Sequence, residues 1–86
     1  MANIASQEKR ILRTEREREE NRRYTSQVKT SFRRLRDAVD AGDSEQVDAE
    51  HRLLTSRVDK AVSAGALHRN SGARKKSRAA RLARGD

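Results

Sequence analysis

One apolar stripe, and the point at which it stops, constrains this chain more than any other feature. Tyr24, Val28, Phe32, Leu35 and Val39 stand at offsets 0, 4, 8, 11 and 15, which at 100° per residue fall within roughly 80° of a helix surface. Continued toward the N-terminus, the same face carries Asn21, Glu17 and Arg10, none of which can be buried without a partner at tolerable cost. No proline breaks the helical pattern ahead of Tyr24, so the helix is expected to outrun its own core face by about four turns. That front part should project from the body the stripe packs into. Glu19 and Arg23 at i,i+4, with Glu15–Arg18 and Glu20–Arg23 at i,i+3, are spaced to support a solvated helix at roughly a few tenths of a kcal/mol per pair.

The stripe needs partners, and the glycines show where they begin. Gly42 and Gly65 end apolar-periodic stretches, where a helix C′ residue is expected. The helical segments are placed at about 5–41, 44–64 and 70–84. Asp43 with Gln46 fits a capping box, and Asn70 or Ser71 is suited to cap the third helix. In the second segment Val47, His51, Leu54, Val58, Ala61 and Val62 share an arc that faces the stripe. In the third, Ala73, Ala80 and Ala83 share one side and Arg74, Arg78 and Arg81 the other, so this helix should be held weakly, because alanine buries little area. The expected fold is all-α: a three-helix bundle, one domain over residues 1–86, with an N-terminal helix extending beyond the bundle. Leu, Ile, Val and Phe number 14 of 86 residues against 40% charged, a balance that leaves the free chain marginally stable.

Much chemistry is excluded. Cysteine is absent, which removes disulfides, thiolate metal sites and thiol nucleophiles. His51 and His68 have no metal-ligand spacing, no glycine-rich phosphate loop exists, and no paired carboxylates lie on an apolar wall. No catalytic residue, metal, cofactor or small-molecule substrate is therefore expected. No run approaches 18 apolar residues, and no apolar segment follows Met1-Ala2-Asn3-Ile4, so a cytoplasmic chain with no membrane partner is expected.

Charge points instead to a polyanion. The chain carries 21 Lys and Arg against 13 Asp and Glu, a net +8, unevenly spread: +2 over residues 1–24, +2 over 25–41, −2 over 42–64 and +6 over 65–86. Lys9, Arg16, Arg23 and Thr30 are spaced by seven and, with Arg34, form a basic edge within roughly 60° and about 30 Å long. A second arc of Arg22, Lys29, Arg33 and Arg36 is less telling, since Asp40 shares it. The run Arg74-Lys75-Lys76-Ser77-Arg78, with Arg81 and Arg84, is offset only by Asp86. Such a helix gains charge-assisted bonds on a phosphate backbone. His68, beside Arg69 and Asn70 at a helix start, suits a phosphate or a flipped base. The single Tyr and single Phe both lie in the core stripe, leaving no aromatic platform for bases, so recognition should run through phosphate, sugar hydroxyls and shape.

Several stretches together carry a family likeness: Met1-Ala2-Asn3-Ile4 with Ser6 and Lys9-Arg10, Ala41-Gly42-Asp43, Val58-Asp59-Lys60-Ala61, and Gly65-Ala66-Leu67-His68-Arg69-Asn70 followed by Ala73-Arg74-Lys75-Lys76-Ser77-Arg78. Over essentially its full length the chain resembles the bacterial small-subunit ribosomal protein twenty family. The resemblance implies a helical bundle that binds small-subunit ribosomal RNA directly at its 5′ domain and 3′ minor domain, with few or no protein contacts. It implies RNA contacts at Asn3, Ser6, Lys9, Arg10, Thr30, His68, Asn70, Arg74, Lys75, Ser77 and Arg78. The basic edges add Arg16, Arg23, Arg34 and Arg81. The chain departs from the family pattern at Ala5 and Glu8, where lysine is usual, in the acidic set Glu15, Glu17, Glu19 and Glu20, and at Gly72, where alanine is usual. Gly72 costs a helix interior about 1 kcal/mol relative to Ala, which leads one to expect a third helix that starts late or forms only on RNA. Two other classes are a coiled-coil interaction protein pairing through Tyr24 to Val39, a stripe of only two heptads, and an architectural DNA-binding protein, for which wedge residues are lacking.

Overall fold

The computed structural model describes the backbone of residues 3–85 and the side chains of Lys9 and residues 11–85. Its elements are α1 (Asn3–Ala41), α2 (Ser44–Ser63) and α3 (Arg69–Arg84), with no strand among the described residues. This is the all-α arrangement that the periodicity leads one to expect. Only Gly42 and Asp43 separate α1 from α2, so the two run antiparallel. At 1.5 Å per residue α2 reaches back about 30 Å, to the neighbourhood of residue 22 of α1. The apolar stripe begins where α2 ends.

Beyond that point α1 has no packing partner among the described residues. Residues 11–20 are all exposed, and the molecule measures 63 Å by 21 Å by 15 Å. Its radius of gyration is 17.2 Å, against roughly 12 Å for a compact chain of this length. Among the described residues Glu15, Glu19 and Glu20 close no ion pair with Arg18 or Arg23. The front of α1 therefore rests on its backbone ladder and on the high helix propensity of its Arg and Glu residues.

The helix ends are held locally. The Asp43 carboxylate accepts the Gln46 N–H at 3.2 Å, while the Gln46 side chain donates to Glu50 Oε1 at 3.1 Å. Only one half of the expected capping box is therefore made. At the other end of α2, Gly65 takes φ +80°. Its N–H donates to the Val62 carbonyl at 3.0 Å and the Ala66 N–H to the Ala61 carbonyl at 2.9 Å, a reversal that favours glycine because a Cβ would be strained there. The reversal lays Ala66 and Leu67 against the core. His68, rather than Asn70 or Ser71, caps α3: its Nδ1 accepts the Asn70 N–H at 3.1 Å. Asn70 and Ser71 already lie inside the helix.

The core gathers Val28, Phe32 and Leu35 of α1, Leu54, Val58 and Ala61 of α2, and Ala79 of α3. The Tyr24 to Val39 stripe thus packs within the chain, with Val28, Phe32 and Leu35 buried and Tyr24 and Val39 half-buried at its ends. The inner side of α3 differs from the one expected from its alanines. Gly72 and Ala79 are buried and Leu82 and Ala83 pack at the edge, whereas Ala73 is exposed and Ala80 only half-buried. The turn is set by Gly72, where a Cβ would come within 2.5 Å of Val62 Cγ2 and 3.5 Å of Val58 Cγ1. Nor does the glycine delay the helix, which starts at Arg69; here the absent Cβ is what lets α3 sit down on α2.

Propensity favours alanine over glycine by about 1 kcal/mol, but an added methyl against a valine whose χ1 is stiff in a helix costs about 1–3 kcal/mol. Gly72→Ala is therefore expected to lower stability in urea unfolding, and Val62→Ala in the same chain to recover part of the loss. A Gly72→Ala protein more stable than the parent would show that α3 does not approach so closely.

Candidate nucleic-acid interface

α3 has three sides. The side toward α2 holds Gly72 and Lys76, whose ammonium meets Asp59 Oδ1 at 2.9 Å. Both groups are substantially exposed, so the pair adds little stability, but it takes Lys76 out of the free positive charge. The outer side presents Arg74, Ser77 and Arg81, all exposed. The third side faces α1.

There α1 and α3 enclose an open-sided groove of about 470 Å³. Val28, Phe32 and Leu67 line it, with Thr25 at one end. Its charged lining is Lys29, Arg33 and Arg36 from α1 and Lys75 and Arg78 from α3, five cations with no acidic residue. The Arg78 guanidinium carbon sits 5.0 Å from the centroid of the Phe32 ring, an attraction of about 0.5–1 kcal/mol at an exposed site. Lys75 is half-buried while Lys29, Arg33, Arg36 and Arg78 are exposed. Such a set, carried on two packed helices, offers the kind of charge-assisted donors that a phosphate backbone accepts.

The residues anticipated from the sequence fall on separate surfaces. Lys75 and Arg78 lie in the groove, joined by Lys29, Arg33 and Arg36, the arc made less telling in the sequence by Asp40. Asp40 does not line the groove. Their signal was their position on the α1 flank opposite the Thr30–Arg34 edge, but nothing in the pattern says on which flank α3 will lie. Thr30 and Arg34 are on the α2 side, beside Ser26, Gln27 and Arg57, roughly 120° round α1 from the groove cations. Arg23 shares a shallow hollow with Arg22 and Glu19. Lys9 and Arg16 stand exposed on the projecting part of α1. The side chains of Asn3, Ser6 and Arg10 lie outside the described residues. His68 and Asn70 are exposed at the start of α3, with His68 Nδ1 engaged as the cap. Among the described residues no group of His, Asp and Glu side chains gathers as for a metal ion, and no helix is long and apolar enough to cross a membrane.

Comparison with known proteins gives one consistent result. The family pattern described as Ribosomal protein S20 matches residues 2–84. A protein of Frankia casuarinae named small ribosomal subunit protein bS20 is 51% identical over 81 residues, 94% of this chain and 91% of that one. Proteins of the same name from Beutenbergia cavernae and Corynebacterium diphtheriae are similar as well. The first is 44% identical over 85 residues, covering 99% of both chains. The second is 47% identical over 77 residues, 90% of this chain and 88% of its own.

Five uncompensated cations around one groove repel one another in the free protein. Raising salt from about 10 to about 150 mM shortens the screening length from roughly 30 to 8 Å, and the thermal midpoint is expected to rise over that range. Replacing Lys29, Arg33 and Arg36 together by Ala should flatten the rise, as calorimetry can show. An equally steep rise in the triple variant would mean that the groove carries no repulsion.

Proposed function

The chain belongs to the ribosomal protein S20 family, and from that premise we propose that it binds small-subunit ribosomal RNA through two basic surfaces on opposite flanks of α1. It is a structural constituent of the small ribosomal subunit, not an enzyme, and its place is with the ribosome in the cytoplasm. The observation that carries the binding mode is the α1–α3 groove, where Lys29, Arg33, Arg36, Lys75 and Arg78 converge with no acid among them. Arg74, Ser77 and Arg81 on the outer side of α3 widen this surface.

The second surface runs from Arg34 and Thr30 through Arg23 and Arg16 to Lys9, extended by Asn3, Ser6 and Arg10, which the family resemblance nominates. Because the front of α1 has no packing partner, one side of it is free to follow a backbone for about 30 Å. Each phosphate neutralised releases counterion, so affinity comes mainly from electrostatics and position from the rigid spacing of the helices. A body with two such surfaces joins two RNA segments. The resemblance supports the 5′ domain and the 3′ minor domain as those segments. His68 and Asn70 at the start of α3 offer a smaller contact, with the His68 Nε2 edge left for RNA once Nδ1 caps the helix. Few protein contacts are proposed, since the core is closed within the chain.

Two sets of substitutions separate the surfaces. Arg74, Lys75 and Arg78 changed together to Ala should reduce the slope of log affinity against log salt by roughly two to three. In footprints of small-subunit RNA, that variant should lose protection at one set of helices. A variant with Arg16, Arg23 and Arg34 changed to Ala should lose it at another. If both variants lose the same protections, there is one surface and not two.

A further inference from the structure

Arg78 differs from the other cations of the groove in what lies beneath it. Phe32 belongs to the core and is 8% exposed, and the guanidinium of Arg78 lies over its ring at 5.0 Å. A flat cation held on a buried ring loses much of the freedom of a surface arginine. Its guanidinium carbon lies over Phe32, and the residue as a whole remains exposed to solvent. A guanidinium plane is a stacking surface for a nucleobase, as an aromatic ring is. A platform of that kind makes no demand on the chain's aromatic residues, which are committed to the core.

The surroundings suit one nucleotide. The groove, at about 470 Å³, is within the roughly 300–1,000 Å³ of clefts that hold small organic groups. Val28 and Leu67 give it apolar lining beside the platform, and Lys29, Arg33 and Lys75 stand around it as partners for phosphates. A paired base in an A-form stem cannot enter, because its faces are stacked and the major groove is too narrow for side chains. We infer that the α1–α3 groove takes an unpaired nucleotide of the RNA, its base stacked on the outer face of Arg78 and its flanking phosphates held by the surrounding cations. This rests on the RNA-binding reading and adds recognition of an unpaired base to its electrostatic clamp.

The test uses the full chain and three RNA hairpins: one whose stem carries a single bulged adenosine, one with an abasic nucleotide at that bulge, and one fully paired. The abasic RNA keeps the phosphate and the bend but has no base. The bulged hairpin is expected to bind at least about fivefold tighter than the abasic one, the low end of what stacking of one base provides. Arg78→Lys keeps the charge but not the plane. It should bring that ratio to below about twofold while leaving the salt slope unchanged, with circular dichroism confirming the fold. Equal binding of bulged and abasic RNA by the parent protein, or an undiminished ratio in Arg78→Lys, would overturn the inference while leaving the clamp intact. Absence of salt-dependent binding to all three hairpins would overturn both.

Discussion

Leu35, Leu54 and Val58, each fully buried in one cluster, form the contact on which the rest of this molecule depends. A buried Leu or Val supplies roughly 1.5–3 kcal/mol, and the cluster has only four more members, two of them alanine. With so little apolar area, the bundle can be no longer than the stretch over which α2 faces α1. The front of α1 is excluded from it for that reason, not because of flexible composition. One short core thus determines both the compact body and the projecting helix.

The same shortage explains why the third helix is fitted as it is. A helix with Leu82 as its one large apolar residue cannot be held by bulk, so it is held by proximity. Gly72 removes the Cβ that would keep α3 from Val62, Ala79 is buried without residue, and Arg78 lies over Phe32. Each contact is small. Together they must outweigh the repulsion among Lys75, Arg78 and the α1 cations across the groove, which leaves α3 as the element most sensitive to salt and to a bound polyanion.

Much of this was legible in the sequence. The Tyr24 to Val39 stripe, the endings at Gly42 and Gly65 and the cap at Asp43 each follow from a local rule, and each rule holds. The inner face of α3 was not legible. Ala73, Ala80 and Ala83 have no stronger preference for the inside than Ala79 has, so their spacing points nowhere, while the residue that sets the turn is a glycine that local propensity counts as a defect. The cap at His68 is not legible in the sequence, because an imidazole nitrogen is an uncommon acceptor at a helix start. The arc of Lys29, Arg33 and Arg36 was visible as a pattern, but its importance depends on which flank of α1 receives α3, and that is decided by packing at Val58 and Val62.

The distribution of charge follows from these contacts. α3 carries its basic residues on every side except the one against the core, yet the fold treats them differently. Lys76, turned toward α2, meets Asp59 and is neutralised. Arg74 and Arg81, turned outward, are exposed to solvent and to whatever approaches. Lys75 and Arg78, turned toward α1, are forced together with three more cations. A uniform basic helix would bind any polyanion with little preference for geometry. Once docked, its charge is sorted into a neutral side, an outer ridge and a concentrated groove. The groove draws its cations from two helices at once, whereas the outer ridge stands on α3 alone.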